Sequence, residues 1–176
     1  MRSILTAALL LAAAPAAATL AVGAKAPDFT TKGAVAGKPI DVRLADQLKK
    51  GPVVLYFFPA AFTGGCNAEA HAFAEAVDDF RKAGATVIGM TAGNVDRLAA
   101  FSAEKCAGKF AVAAAAPAVA QAYDVALKKP DGTAAGYTSR TSYVIGRNGK
   151  IAFAHSDMSP ADHVSLTLAA VRKLPR

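Results

Sequence analysis

Two side chains in this 176-residue chain can act as sulfur nucleophiles, Cys66 and Cys106, and they are its only cysteines. A thiolate can attack an electrophile, bind a metal or form half of a disulfide. Reversible dithiol exchange usually uses Cys-x-x-Cys, so that the second sulfur attacks from three residues away. Here Cys66 is followed by Asn67-Ala68-Glu69, which argues against that exchange chemistry. Paired with His71, Cys66 supplies two metal ligands, too few for a closed zinc site. No metal or other cofactor is therefore expected. A structural Cys66–Cys106 bridge stays open, as does a redox role.

The elements around Cys66 favour the redox role. Residues 52–59 (PVVLYFFP) form an apolar β-branched and aromatic run bounded by prolines. Such a run belongs to a central strand covered on both faces. Residues 66–83 read as a helix, with Phe73, Val77 and Phe80 on one face and Gly84 as its stop. Cys66 then lies in the first turn, where free N–H groups and the helix dipole stabilise an anion. Ionisation alone is not enough. An ordinary thiol is about 3% ionised at pH 7, so full ionisation gains only ~30-fold, and an acidic thiol is a poorer nucleophile. A fast reaction needs donors aimed at the charge that builds on the departing atom. Thr63 and the amides of Gly65 and Cys66 are candidates.

The rest of the chain supplies a framework. Residues 27–43 suggest a small hairpin punctuated by Gly33 and Gly37, and residues 44–50 one or two helical turns. Residues 86–91 (TVIGMT) read as a second buried strand. A helix capped near Asn94 follows, with Val95, Leu98 and Phe101 inward. Residues 110–113 suggest a short strand and 118–123 a short helix. Residues 141–145 and 151–155 alternate as strands around Asn148-Gly149, a hairpin signal. Pro160 is expected to open a last helix with Val164, Leu168 and Val171 on one stripe. A βαβ start requires a parallel pair, and the later hairpin adds antiparallel strands. The expected fold is α/β, a thioredoxin-like three-layer sandwich with a mixed central sheet.

Pro59-x-x-x-Thr63-x-x-Cys66 resembles the signature loop of peroxiredoxins, the alkyl hydroperoxide reductase and thiol-specific antioxidant group. The preceding strand and Glu69-Ala70 resemble the bacterioferritin comigratory protein (peroxiredoxin Q) branch. The resemblance runs from about Pro27 to the C-terminus and includes Arg140-Thr141-Ser142-Tyr143-Val144-Ile145 and Gly149-Lys150-Ile151. It implies a thiol peroxidase in which Cys66 attacks hydrogen peroxide or an organic hydroperoxide and becomes a sulfenic acid. By the same resemblance Thr63 and Arg140 bind and polarise the peroxide, and Pro59 shields the sulfur. Glu69 is a further candidate, or it complements the positive end of its own helix. Arg140 has the alternative of a surface ion pair. Cys106 matches a resolving cysteine that some relatives carry in the second major helix; the alternative is a buried, inert thiol, with Cys66 resolved externally. A thioredoxin-like or other dithiol protein is the implied reductant, and a monomer the implied state. Two departures stand out. Gly64-Gly65 replaces the usual proline after the threonine, which predicts a more mobile loop. His71 stands where many relatives have a second cysteine, and reads as a packed or half-exposed side chain.

Composition bounds the remaining readings. Residues 1–18 have a positive start, an apolar stretch broken by Pro15, and Ala16-Ala17-Ala18. That pattern is expected to be a cleaved signal peptide, leaving residues 19–176 as one domain in the periplasm or outside the cell. An uncleaved anchor is the alternative, since no charge falls between Arg2 and Lys25. The net charge of +7 is scattered rather than gathered into a stripe interleaved with aromatics, so no nucleic acid is expected as a partner. A non-enzymatic metal carrier or bridged structural domain would have no need of Thr63 or Arg140 beside a sulfur.

Overall fold

A computed structural model describes residues 19–175. The leader reading and its anchor alternative therefore lie outside the described residues.

A hairpin begins the fold: β1 (Thr30–Val35) pairs antiparallel with β2 (Lys38–Arg43), and α1 (Leu44–Leu48) follows. Next come β3 (Val53–Phe57), α2 (Gly64–Lys82) and β4 (Thr86–Thr91). A 3-10 turn (Val95–Arg97) leads into α3 (Leu98–Glu104), β5 (Ala111–Ala114) and α4 (Pro117–Ala122). The short strands β6 (Ala126–Lys128) and β7 (Ala134–Thr138) form a separate hairpin. Finally β8 (Thr141–Ile145) and β9 (Ile151–Ser156) precede α5 (His163–Arg172).

The main sheet has seven strands in the order β2-β1-β5-β4-β3-β8-β9. β3, β4 and β5 run parallel, while β8 joins β3 antiparallel. This is the mixed central sheet the pattern predicts. β3 shows why its sequence is apolar throughout: every residue is buried. Val54 and Tyr56 point into a core shared with Phe73 and Phe80 of α2 and Val171 of α5. Val53, Leu55 and Phe57 point the other way, into a core closed by Phe29, Leu44, Ala120 and Tyr123. Strand side chains alternate between faces, so helices on both sides demand hydrophobes at every position.

α2 ends as its sequence predicts. Arg81 and Lys82 occupy the last turn, where the helix dipole favours cations. Gly84 takes φ +81 just beyond, a conformation that costs a side chain more than it costs glycine.

Several expectations shift. Val95 is 44% exposed rather than inward, because the chain there makes a 3-10 turn before α3 begins, and only Leu98 and Phe101 are buried. Pro160 does not open the last helix. α5 begins three residues later, and its buried stripe is His163, Thr167 and Val171, with Val164 and Leu168 only partly covered. The β6–β7 hairpin has no counterpart among the sequence expectations, since its residues are mostly exposed and carry no alternation.

Candidate active site

Cys66 is the third residue of α2 and only 1% exposed. The first bond along the helix runs from the Asn67 N–H to the Thr63 carbonyl (2.8 Å). The amides of Gly64, Gly65 and Cys66 precede it and have no acceptor within the helix, as every helix start requires. Gly64 and Gly65 are thus helical residues, not loop residues, and a mobility argued from a glycine loop does not apply. Gly65 has a packing reason instead. A Cβ there would lie 3.2 Å from Arg140 Nη2.

The loop between β3 and α2 is pinned by side chains from three other segments. Thr138 donates its hydroxyl to the Phe58 carbonyl (2.7 Å), Thr91 to the Pro59 carbonyl (2.9 Å), and Asn94 Nδ2 to the Ala61 carbonyl (2.8 Å). Asn94 therefore holds the loop rather than capping a helix with its side chain. Gly93 approaches so closely that a Cβ would sit 2.6 Å from the Pro59 oxygen. Phe62 adopts φ +65, a left-handed conformation rare for a bulky side chain. Its ring packs edge-on against Phe101 of α3, and the Arg97 guanidinium lies 3.9 Å from its centroid. Thr63 is exposed and donates its hydroxyl to the Ala60 carbonyl (3.1 Å), which leaves its lone pairs free to accept. Pro59 is half-buried.

Arg140 sits in the two-residue link between β7 and β8, and is 4% exposed. It is not a surface ion-pair partner. Its Nη2 donates to Cys66 Sγ at 3.6 Å, its Nε donates to the Met158 carbonyl (2.9 Å), and its Nη1 pairs with Glu69 Oε2. Glu69 is fully covered and does not simply complement its helix end; it is Arg140's counter-ion. Burial pushes the Glu69 carboxyl up to about 7, outweighing the attraction of Arg140.

The network continues past residues that the sequence did not single out. Glu69 Oε1 has no hydrogen-bond partner and lies 3.8 Å from His163 Nδ1. His163 is completely buried; its Nδ1 contacts Ser142 Oγ (2.8 Å) and its Nε2 the Asp157 carbonyl (2.9 Å). His71, by contrast, is exposed on α2 and meets Glu75 at 3.3 Å. Among the described residues no cluster of three or more potential ligands could hold a metal ion.

Cys106 lies just past the end of α3, its amide bonded to the Phe101 carbonyl (3.2 Å). Both cysteines are free thiols in the same core cluster, on the α2 side of the sheet. Burial pushes the Cys106 thiol far above its ordinary range. Tyr56 shares this cluster, stacked on Phe73 with ring centroids 4.3 Å apart. Its buried hydroxyl has no hydrogen-bond partner.

A model of the AhpC/TSA family matches residues 22–154. Chloroplastic peroxiredoxin Q of Sedum lineare is 28% identical over 153 residues, which covers 86% of this chain and 78% of that protein. The Suaeda salsa peroxiredoxin Q is 29% identical over 158 residues, 89% and 70% of the respective chains. Among solved structures, peroxidoxin BcpB from Mycobacterium tuberculosis aligns with a TM-score of 0.77 at 29% identity, covering 88% of this chain and 98% of that one. The bacterioferritin comigratory protein of Xanthomonas campestris shares the fold, with a TM-score of 0.69 at 24% identity over 80% of this chain and 89% of that one.

Proposed function

The chain belongs to the AhpC/TSA family and is a thiol peroxidase, and from that premise we propose that Cys66 is its peroxide-attacking residue. The observation that carries this assignment is the Arg140 Nη2 to Cys66 Sγ contact at 3.6 Å, made in the first turn of a long helix. Cys66 attacks the nearer peroxide oxygen as a thiolate. The S–O bond forms and the O–O bond breaks. The electron pair passes to the departing oxygen, which takes a proton and leaves as water or an alcohol, while the cysteine becomes a sulfenic acid. Arg140 and the free amides of the first turn bind the peroxide and receive the charge that develops, while the Thr63 hydroxyl, which donates to Ala60, orients the peroxide by accepting from its O–H. Pro59 limits access of water to the sulfur.

Cys106 resolves the sulfenic acid. Its thiolate attacks the Cys66 sulfur, an intramolecular disulfide forms, and the oxygen departs as water. Two sulfurs join only when their Cα atoms come within about 7 Å. Cys106 must leave the core for this, and its position in a turn just past α3 makes local unwinding the route. A thioredoxin-like dithiol protein then reduces the disulfide. The chain works as a monomer, exported and trimmed near residue 18. N-terminal sequencing of the protein recovered from a cell-envelope fraction tests that export.

Peroxide consumption in the presence of a dithiol protein tests the cysteine roles. Cys66→Ser is expected to abolish turnover, and Cys106→Ser to keep a single stoichiometric reaction. Normal turnover by Cys106→Ser would remove its resolving role while leaving Cys66 in place.

A further inference from the structure

Beyond the guanidinium, the site contains a buried histidine with no evident task. His163, at the start of α5, is enclosed by groups from every element packed against it: Glu69 of α2, Arg140 ahead of β8, Ser142 of β8, His155 of β9 and the carbonyl of Asp157. The Asp157 carbonyl can only accept, so Nε2 carries a proton. In the neutral ring Nδ1 is then a lone pair, and the Ser142 hydroxyl donates to it. Glu69 Oε1 faces that same nitrogen at 3.8 Å and has no other partner. A carboxylate oxygen buried without a donor is costly. One proton added at Nδ1 would be shared between the imidazole and this oxygen.

We propose that His163 is a positioning residue of the peroxide site: acting through Glu69, it holds the Arg140 guanidinium on Cys66, and a proton taken up by the Glu69–His163 pair loosens that hold. In the neutral state the Glu69 charge is directed wholly at Arg140, whose other nitrogens are fixed by the Met158 carbonyl and the Cys66 sulfur. A proton taken up by the facing Glu69–His163 pair weakens that hold whichever atom carries it: on Glu69 it removes the carboxylate charge, and on Nδ1 it divides that charge between two cations. Burial keeps the His163 ring neutral to lower pH than an ordinary histidine, the nearby His155 and Arg140 charges act in the same direction, and the Asp157 contact opposes them. Peroxide reduction is therefore arranged to run with the carboxyl ionised and the ring neutral, and to weaken in acid. The inference rests on Cys66 as the nucleophile.

The test is the second-order rate of Cys66 oxidation by hydrogen peroxide between pH 5 and 9, measured by stopped flow alongside the thermal midpoint. His163→Asn keeps a polar group near the Nδ1 position, whereas His163→Gln keeps one near Nε2. We expect His163→Gln to lose roughly 10-fold at pH 7 and His163→Asn less, with both profiles lacking one acid ionisation seen in wild type. Ser142→Ala removes the donor that favours the neutral ring, so its acid limb moves to higher pH; it carries the test if the histidine variants fail to fold. Equal rates and unchanged profiles in folded His163 variants would overturn the proposal and leave Cys66 untouched, as would an unmoved acid limb in Ser142→Ala. A wild-type chain inert to peroxide would overturn both readings.

Discussion

Arg140 meets three obligations with one planar guanidinium: a sulfur, a carboxylate and a backbone carbonyl. Lysine, with a single ammonium, has no matching geometry. The neighbouring Glu69 makes a stability prediction with a definite sign. Its carboxyl holds a proton to about 7 when folded, against 4.5 ordinarily. Between those values the folded state binds more protons. The stability this group contributes is fully present below about 4.5 and is lost as the pH rises through about 7. His163 works in the opposite sense, because its folded value is lowered. The difference between wild type and Glu69→Gln in thermal midpoint against pH isolates the carboxyl. That difference is expected to shift across the window in favour of Glu69→Gln as the pH rises; a flat difference would mean that Glu69 ionises as an ordinary carboxylate.

At the scale of elements, the loop between β3 and α2 is a short connection whose shape is imposed from outside. Its carbonyls at Phe58, Pro59 and Ala61 are taken by Thr138, Thr91 and Asn94. Thr91 is fully buried and also accepts from the Gly93 amide (3.0 Å). Thr91→Val keeps the shape and removes both bonds, leaving two backbone groups without these partners. The expected cost is about 1–3 kcal/mol in urea unfolding, accompanied by a slower reaction with peroxide. Unchanged stability would show that the loop holds itself. This pinning was invisible in the sequence, because a threonine ending a buried strand reads as one more β-branched residue. The strand-loop-helix placement of Cys66 was legible for the opposite reason: an unbroken apolar run and a helical stripe bracket it. Arg140 was legible only through family resemblance, since nothing local in Ser139-Arg140-Thr141 brings it to a cysteine far back in the chain. His163 gave no signal beyond being a lone histidine.

For the whole molecule, the mixed sheet with helices on both faces was readable from periodicity, because β3 and β4 have no polar side to spare. The exposed β6–β7 hairpin was not, since burial creates the pattern on which such reading depends. The same sheet sets the reactivity of the thiols toward large reagents. Cys66 is 1% exposed and Cys106 fully covered. Labelling of Cys106 by a bulky maleimide is expected to proceed only as fast as its segment opens, and to accelerate with low concentrations of urea. Fast labelling independent of urea would mean that the thiol is accessible in the closed fold.

Phe62 ties these scales together. Its ring leans on Phe101 of α3 and lies under Arg97, while its backbone leads directly into the turn before Cys66. The far end of α3 runs on to Cys106. An excursion of α3 that frees the second sulfur therefore withdraws the prop beneath the first. A disulfide of the proposed kind needs one coordinated event rather than two independent ones, and a left-handed phenylalanine is already poised to relax when that prop is gone.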